Sequence, residues 1–156
     1  MVVLGISLGT TTTGIAVLND GELIYWHTHS FRDKWSPDKA ALITSRYGNY
    51  VSQYKPKKVV VKIPPVYHHS GAIKQLLEKI KELFSYHGCM VEYKTKDEVK
   101  EHIPEVANHN QLMAYAIEHY PILLPEYEQA MAGKNNYHAK LFDAVIAAHQ
   151  GVITNQ

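Results

Sequence analysis

Apolar positions over residues 2–8, broken only by Gly5 and Ser7, predict a buried first strand, and residues 13–18 and 22–31 predict two more. Asn19-Asp20-Gly21 between the last two is a tight-turn sequence, so they form a hairpin and the three strands an antiparallel meander. Tyr25 and Trp26 give the third strand sheet-favouring bulk. The first turn, Gly9-Thr10-Thr11-Thr12, is short and made of small residues.

The period then changes. Ser36 and Pro37 read as an N-cap and first helical residue, opening a helix to about Tyr54 whose apolar face is Ala40, Ala41, Ile43, Tyr47 and Val51. Pro56 and two lysines precede Val59-Val60-Val61, a β-branched run that fits a central parallel strand and ends before Pro64-Pro65. Ser70 begins the clearest helix, in which Ile73, Leu76, Leu77, Ile80, Leu83 and Phe84 recur at three- and four-residue spacing until Gly88 stops it. Met90 to Tyr93 predict a fifth strand. A short helix from Thr95 follows, with Asp97 and Glu98 capping its first turn and Pro104 closing it. Residues 108–120 and 138–153 predict two further helices, separated by a Pro-bounded insertion of weak helical character over 121–133.

Three strands, helix, strand, helix, strand, then helices is the order of an α/β protein with one mixed sheet between helices. The 156 residues suit a single domain over 1–156, and 46% hydrophobic with 20% charged residues excludes both a disordered chain and a disulfide scaffold. No apolar run approaches the roughly 20 residues of a membrane span, the start lacks a basic flank, and Cys89 is the only cysteine, so a cytoplasmic location and no membrane partner are expected. A net charge of +1 supplies no global field for nucleic acid.

The segment Leu4-Gly5-Ile6-Ser7-Leu8-Gly9-Thr10-Thr11-Thr12-Thr13-Gly14-Ile15-Ala16-Val17, together with the element order and Asp143-Ala144-Val145-Ile146-Ala147-Ala148-His149, resembles RuvC-type Holliday-junction nucleases of the ribonuclease-H-like superfamily. The resemblance spans nearly the whole chain. It implies a ribonuclease-H-like fold with a mixed five-stranded sheet, three antiparallel strands then parallel ones, flanked by helices. It also implies four metal-binding carboxylates: one on the first strand, one at the end of the fourth, and two on the last helix. Here those positions read Ser7, Lys62, Lys140 and Asp143, so one carboxylate of the four remains.

Two divalent ions about 4 Å apart need several hard oxygen ligands. Serine is a poor one, and a lysine ammonium takes the cation's place and pairs with the remaining carboxylate. The expected function is therefore a nucleic-acid-associated pseudonuclease, without a cofactor, contacting branched DNA or another nucleic acid. The family habit implies a homodimer, or a protein partner, through the Tyr-rich first helix or the helix from Ser70. The alternatives are an active endonuclease using Mg²⁺ or Mn²⁺ on a rebuilt set such as Asp20, Asp143 or Glu92 with a histidine, a nucleotide-binding domain, and a purely structural protein.

Nucleotide binding would rest on Gly9, Thr10, Thr11 and Thr12, which resemble the first phosphate loop of actin-like ATPases and sugar kinases; a plain hairpin turn accounts for the same residues. His68, His69, His102, His109 and His149 lack metal-ligand spacing and read as surface or helix-cap residues. Lys55, Lys57 and Lys58, Lys74, Lys79 and Lys81, and Lys94, Lys96 and Lys100 suggest a phosphate face or, more simply, solvated surface balanced by glutamates. Tyr47, Tyr50 and Tyr54 fit core or interface packing better than base stacking.

Overall fold

The computed structural model describes residues 1–133 and 137–153. Strands β1 (Val2–Ser7), β2 (Thr12–Asn19) and β3 (Glu22–Ser30) are antiparallel, while β4 (Lys58–Lys62) and β5 (Met90–Lys94) join β1 in parallel, giving the order β3-β2-β1-β4-β5. Asp20 and Gly21 turn the β2–β3 hairpin with φ of +50° and +84°, the pair of left-handed residues that a two-residue turn of this hand requires.

Helix α1 (Pro37–Tyr54) starts where Ser36 Oγ accepts from the Lys39 N–H, and α2 (Gly71–Tyr86) where Ser70 Oγ accepts from Ile73. Both lie on one face of the sheet. Leu4, Ile6, Ile15, Val17, Val59 and Val61 point to that side and meet Ile43, Tyr47, Leu76, Ile80 and Phe84. The tyrosines of α1 are thus part of the core: Tyr47 is fully buried and shares a hydrogen bond with Thr13, and Tyr50 bonds Tyr25 and His29. An interface on α1 has to use its other side, because these rings are already packed.

The opposite face carries α3 (Lys96–Glu101), α4 (His109–His119), α5 (Leu124–Ala132) and α6 (Tyr137–Ile153). The cap of α3 is Thr95, whose hydroxyl accepts from the Glu98 N–H while the Glu98 carboxylate accepts from the Thr95 N–H; Asp97 is not the cap. The expected weak insertion resolves into a single 3-10 turn, Pro121–Leu123, followed by the nine-residue α5. Among the described residues no helix is long and apolar enough to cross a membrane.

Helix α6 lies almost on the sheet backbone. A Cβ at Gly5 would sit 2.2 Å from the Ala144 carbonyl oxygen, and one at Gly14 would sit 2.0 Å from that of Lys140. Ala144 and Ala148 on the helix side keep the approach close, so glycine in the strands and alanine in the helix are one packing solution.

Candidate functional site

Strand alternation decides which side chains reach the α6 face. In β1 the residues facing α6 are Val3, Gly5 and Ser7; in β4 they are Lys58, Val60 and Lys62. Ser7 is the register partner of both Gly14 and Lys62, so the three form one row across the end of the sheet. Helix α6 crosses this row at Lys140, and Asp143 follows three residues later on the same side of the helix. Ser7, Lys62, Lys140 and Asp143 therefore come together, although they lie far apart in the chain.

Lys62 Nζ donates to Asp143 Oδ2 at 2.7 Å. Lys140 Nζ turns the other way and donates to the Leu8 carbonyl at 2.9 Å, beside the β1–β2 turn. Ser7 is 1% exposed, and its carbonyl accepts from the Thr13 hydroxyl at 2.8 Å. The turn itself is closed, with a Cβ at Gly9 lying 2.1 Å from the Thr12 carbonyl oxygen and the Phe31 N–H donating to Thr11.

A further residue joins from α4. His109, its first residue, places Nε2 3.6 Å from Asp143 Oδ1, too long for a hydrogen bond but close enough to act through charge. Burial by itself raises the Asp143 pKa; His109 and Lys62 outweigh it and hold the carboxyl below its ordinary range. For Lys140, burial is the main influence and Lys62 adds repulsion, so its pKa is lowered despite Asp143.

Beside the Lys62–Asp143 pair is a mostly enclosed cavity of about 80 Å³ between α3 and α4. The lining is mostly apolar, and the polar residues that contribute to it are Lys62, Lys96, Lys100, Asn108, His109 and Asp143. In the sequence Lys96 and Lys100 are two lysines among many and His109 is one of several scattered histidines. No local signal links them to Asp143, since only the packing of α3 and α4 against α6 does so.

Several expectations are corrected by the same packing. Lys58 is 2% exposed, 2.8 Å from Glu92, and donates to the Gly151 carbonyl; Lys94 is also buried near Glu92, so neither belongs to a solvated face. His149 is buried between the Tyr115 and Tyr120 hydroxyls, at 3.1 and 2.7 Å, and is no surface histidine. The rebuilt set of Asp20, Glu92 and Asp143 is not assembled. Asp20 pairs with the N-terminus at the far end of β1, about 17 Å of strand from Ser7, and Glu92 pairs with Lys58. Among the described residues no three His, Cys, Asp or Glu side chains gather as a metal-ligand set.

No protein-family model matches the chain, and no curated protein matches it. The fold, in contrast, is that of RuvC. The structure of Thermus thermophilus RuvC in complex with a Holliday junction substrate aligns with a TM-score of 0.74 over 99% of this chain and 94% of that one, at 17% identity. A second Thermus thermophilus RuvC structure aligns with a TM-score of 0.71 over 99% and 97%, at 14% identity. The mixed five-stranded sheet between helices is thus the RuvC type of ribonuclease-H-like fold.

Proposed function

We propose that this chain is a RuvC-type nucleic-acid-binding domain that does not cleave by a metal-dependent route, because the Lys62 ammonium stands where a cation would stand. The observation that carries this reading is the 2.7 Å contact of Lys62 with Asp143, the one carboxylate left at the four positions. A divalent ion there would have Asp143, already neutralised, and Ser7, with Lys62 and Lys140 as repelling neighbours. The donor set does not fit Mg²⁺ or Mn²⁺.

Support for nucleic acid comes from the likeness to a RuvC whose structure includes a Holliday junction, and from the lysines around the cavity. Branched DNA is accordingly the first ligand to try. Pairing of two copies, or with another protein, belongs to the same reading; light scattering at high concentration tests it.

The deciding experiment follows binding and cleavage of branched, single-stranded and hybrid substrates in parallel, with Mg²⁺ or Mn²⁺ and with Asp143→Asn as control. Binding without cleavage is the expected result. Metal-dependent cleavage abolished by Asp143→Asn would overturn the reading, and absence of both binding and cleavage would leave a structural role.

A further inference from the structure

We propose that the cavity between α3 and α4 receives a phosphate monoester, such as the terminal phosphate of a nucleic-acid strand; the nucleic-acid source rests on the function proposed above. Charge is the first argument. Three lysines, Lys62, Lys96 and Lys100, and one carboxylate, Asp143, are among the residues that line the cavity, an excess of two positive charges in the lining set. A phosphate monoester carries about −1.5 to −2 at pH 7 and matches that excess, whereas a backbone diester carries only one charge.

The wall is also incompletely satisfied. Lys62 is committed to Asp143, but Lys96 and Lys100, one turn apart on α3, form no ion pair among the described residues. His109 Nε2 is buried and has no hydrogen-bond partner, since Asp143 Oδ1 is 3.6 Å away. A buried ring nitrogen of this kind is costly unless a ligand supplies what the protein does not. An oxyanion oxygen would accept from it in the tautomer that protonates Nε2. The first turn of α4, with Asn108 as N-cap and His109 next, adds the positive end of a helix dipole.

Size and shape narrow the ligand. About 80 Å³ is the space of two or three water molecules and a fraction of a drug-sized site, so one tetrahedral oxyanion fits and a nucleoside does not. The cavity is mostly enclosed, and an anion attached to its carrier on one side enters such a space more readily than a diester continued on both. Val99, Val106 and Leu112 also line the cavity, and their aliphatic side chains limit competing water.

The test compares oligonucleotides of one sequence carrying a 5′-phosphate, a 3′-phosphate or only hydroxyl ends, and titrates inorganic phosphate alone, all at one moderate salt concentration. A phosphorylated end should bind about tenfold tighter than hydroxyl ends, the size of one added charge-assisted contact. Inorganic phosphate should compete for that advantage, and Lys96→Gln with Lys100→Gln should erase it while thermal melting shows the fold intact. Equal binding of all three oligonucleotides would overturn the cavity assignment and leave the nucleic-acid reading standing. Phosphate binding that depends on the two lysines, with no oligonucleotide bound, would uphold the cavity and overturn that reading. Persistence of the advantage in the double variant, or no binding of any probe, would overturn the proposal.

Discussion

The Lys62 ammonium and the Asp143 carboxylate meet at 2.7 Å across 81 residues of sequence, joining the end of β4 to the start of the α6 contact with the sheet. Two charges with little exposure are desolvated together, and each depends on the other to offset that cost. Lys62→Met strands Asp143 as a buried charge and should cost about 3 kcal/mol of stability in urea titration near neutral pH. Lys62→Met combined with Asp143→Leu should recover most of the loss, which a double-mutant cycle reads directly.

If the lysine excludes a metal by charge, restoring carboxylates should admit one. Ser7→Asp with Lys62→Glu should give a chain whose melting temperature rises with millimolar Mn²⁺, as for any ligand that binds only the folded state, whereas the natural chain should not respond. Equal response of both chains would contradict the proposed role of Lys62.

Glycine positions separate two kinds of constraint. Gly14 lies under the α6 backbone, where an added Cβ would sit 2.0 Å from the Lys140 carbonyl oxygen, so Gly14→Ala should cost about 3 kcal/mol or more through overpacking. Gly21 has open space around it and only a φ of +84°, so Gly21→Ala should cost about 1 kcal/mol from backbone strain. Chemical denaturation of the two variants should rank them in that order.

Acid should weaken the fold in a histidine window. Burial, with His119 nearby, lowers the His149 pKa from 6.5 to about 4; burial, with His27 and Arg46, does the same to His29. The unfolded chain therefore binds more protons than the folded one between pH 6.5 and 4, and stability falls as pH drops through that range. His149→Gln keeps a donor and an acceptor toward Tyr115 and Tyr120 but does not titrate. Its stability should fall less steeply from pH 6.5 to 4, by about one proton of linkage. Asp143 contributes separately, below 3.8, where its depressed pKa begins to matter.

The local signals that were legible are those with local causes. Ser36 and Ser70 cap the helices they head, Asn19-Asp20-Gly21 turns the hairpin, and Val59-Val60-Val61 is a buried strand because β-branched residues tolerate packing on both faces. Only a family resemblance links Ser7, Lys62, Lys140 and Asp143 in the sequence, and the structure brings them to one end of the sheet. Lys58 was misleading because Pro56 and Lys57 before it look like a solvated approach to a strand. Its burial follows from the strand register, which directs it under Gly151 toward Glu92. His109 and His149 acquire their surroundings from helices distant in sequence, and nothing within a few residues of either encodes that.

The close seating of α6 also governs the order in which the fold can be completed. β1, β2 and β4 precede α6 in the chain, yet the core that holds their Val3, Ala16, Leu18 and Val60 side chains is completed by Phe142, Ala144, Val145 and Ala148 of α6. Until then a growing polypeptide holds a sheet with one greasy side, so the earlier elements cannot mature alone into a stable body. Folding should be slow relative to the local hairpin and all-or-none, with synthesis of the last helix as the committing event.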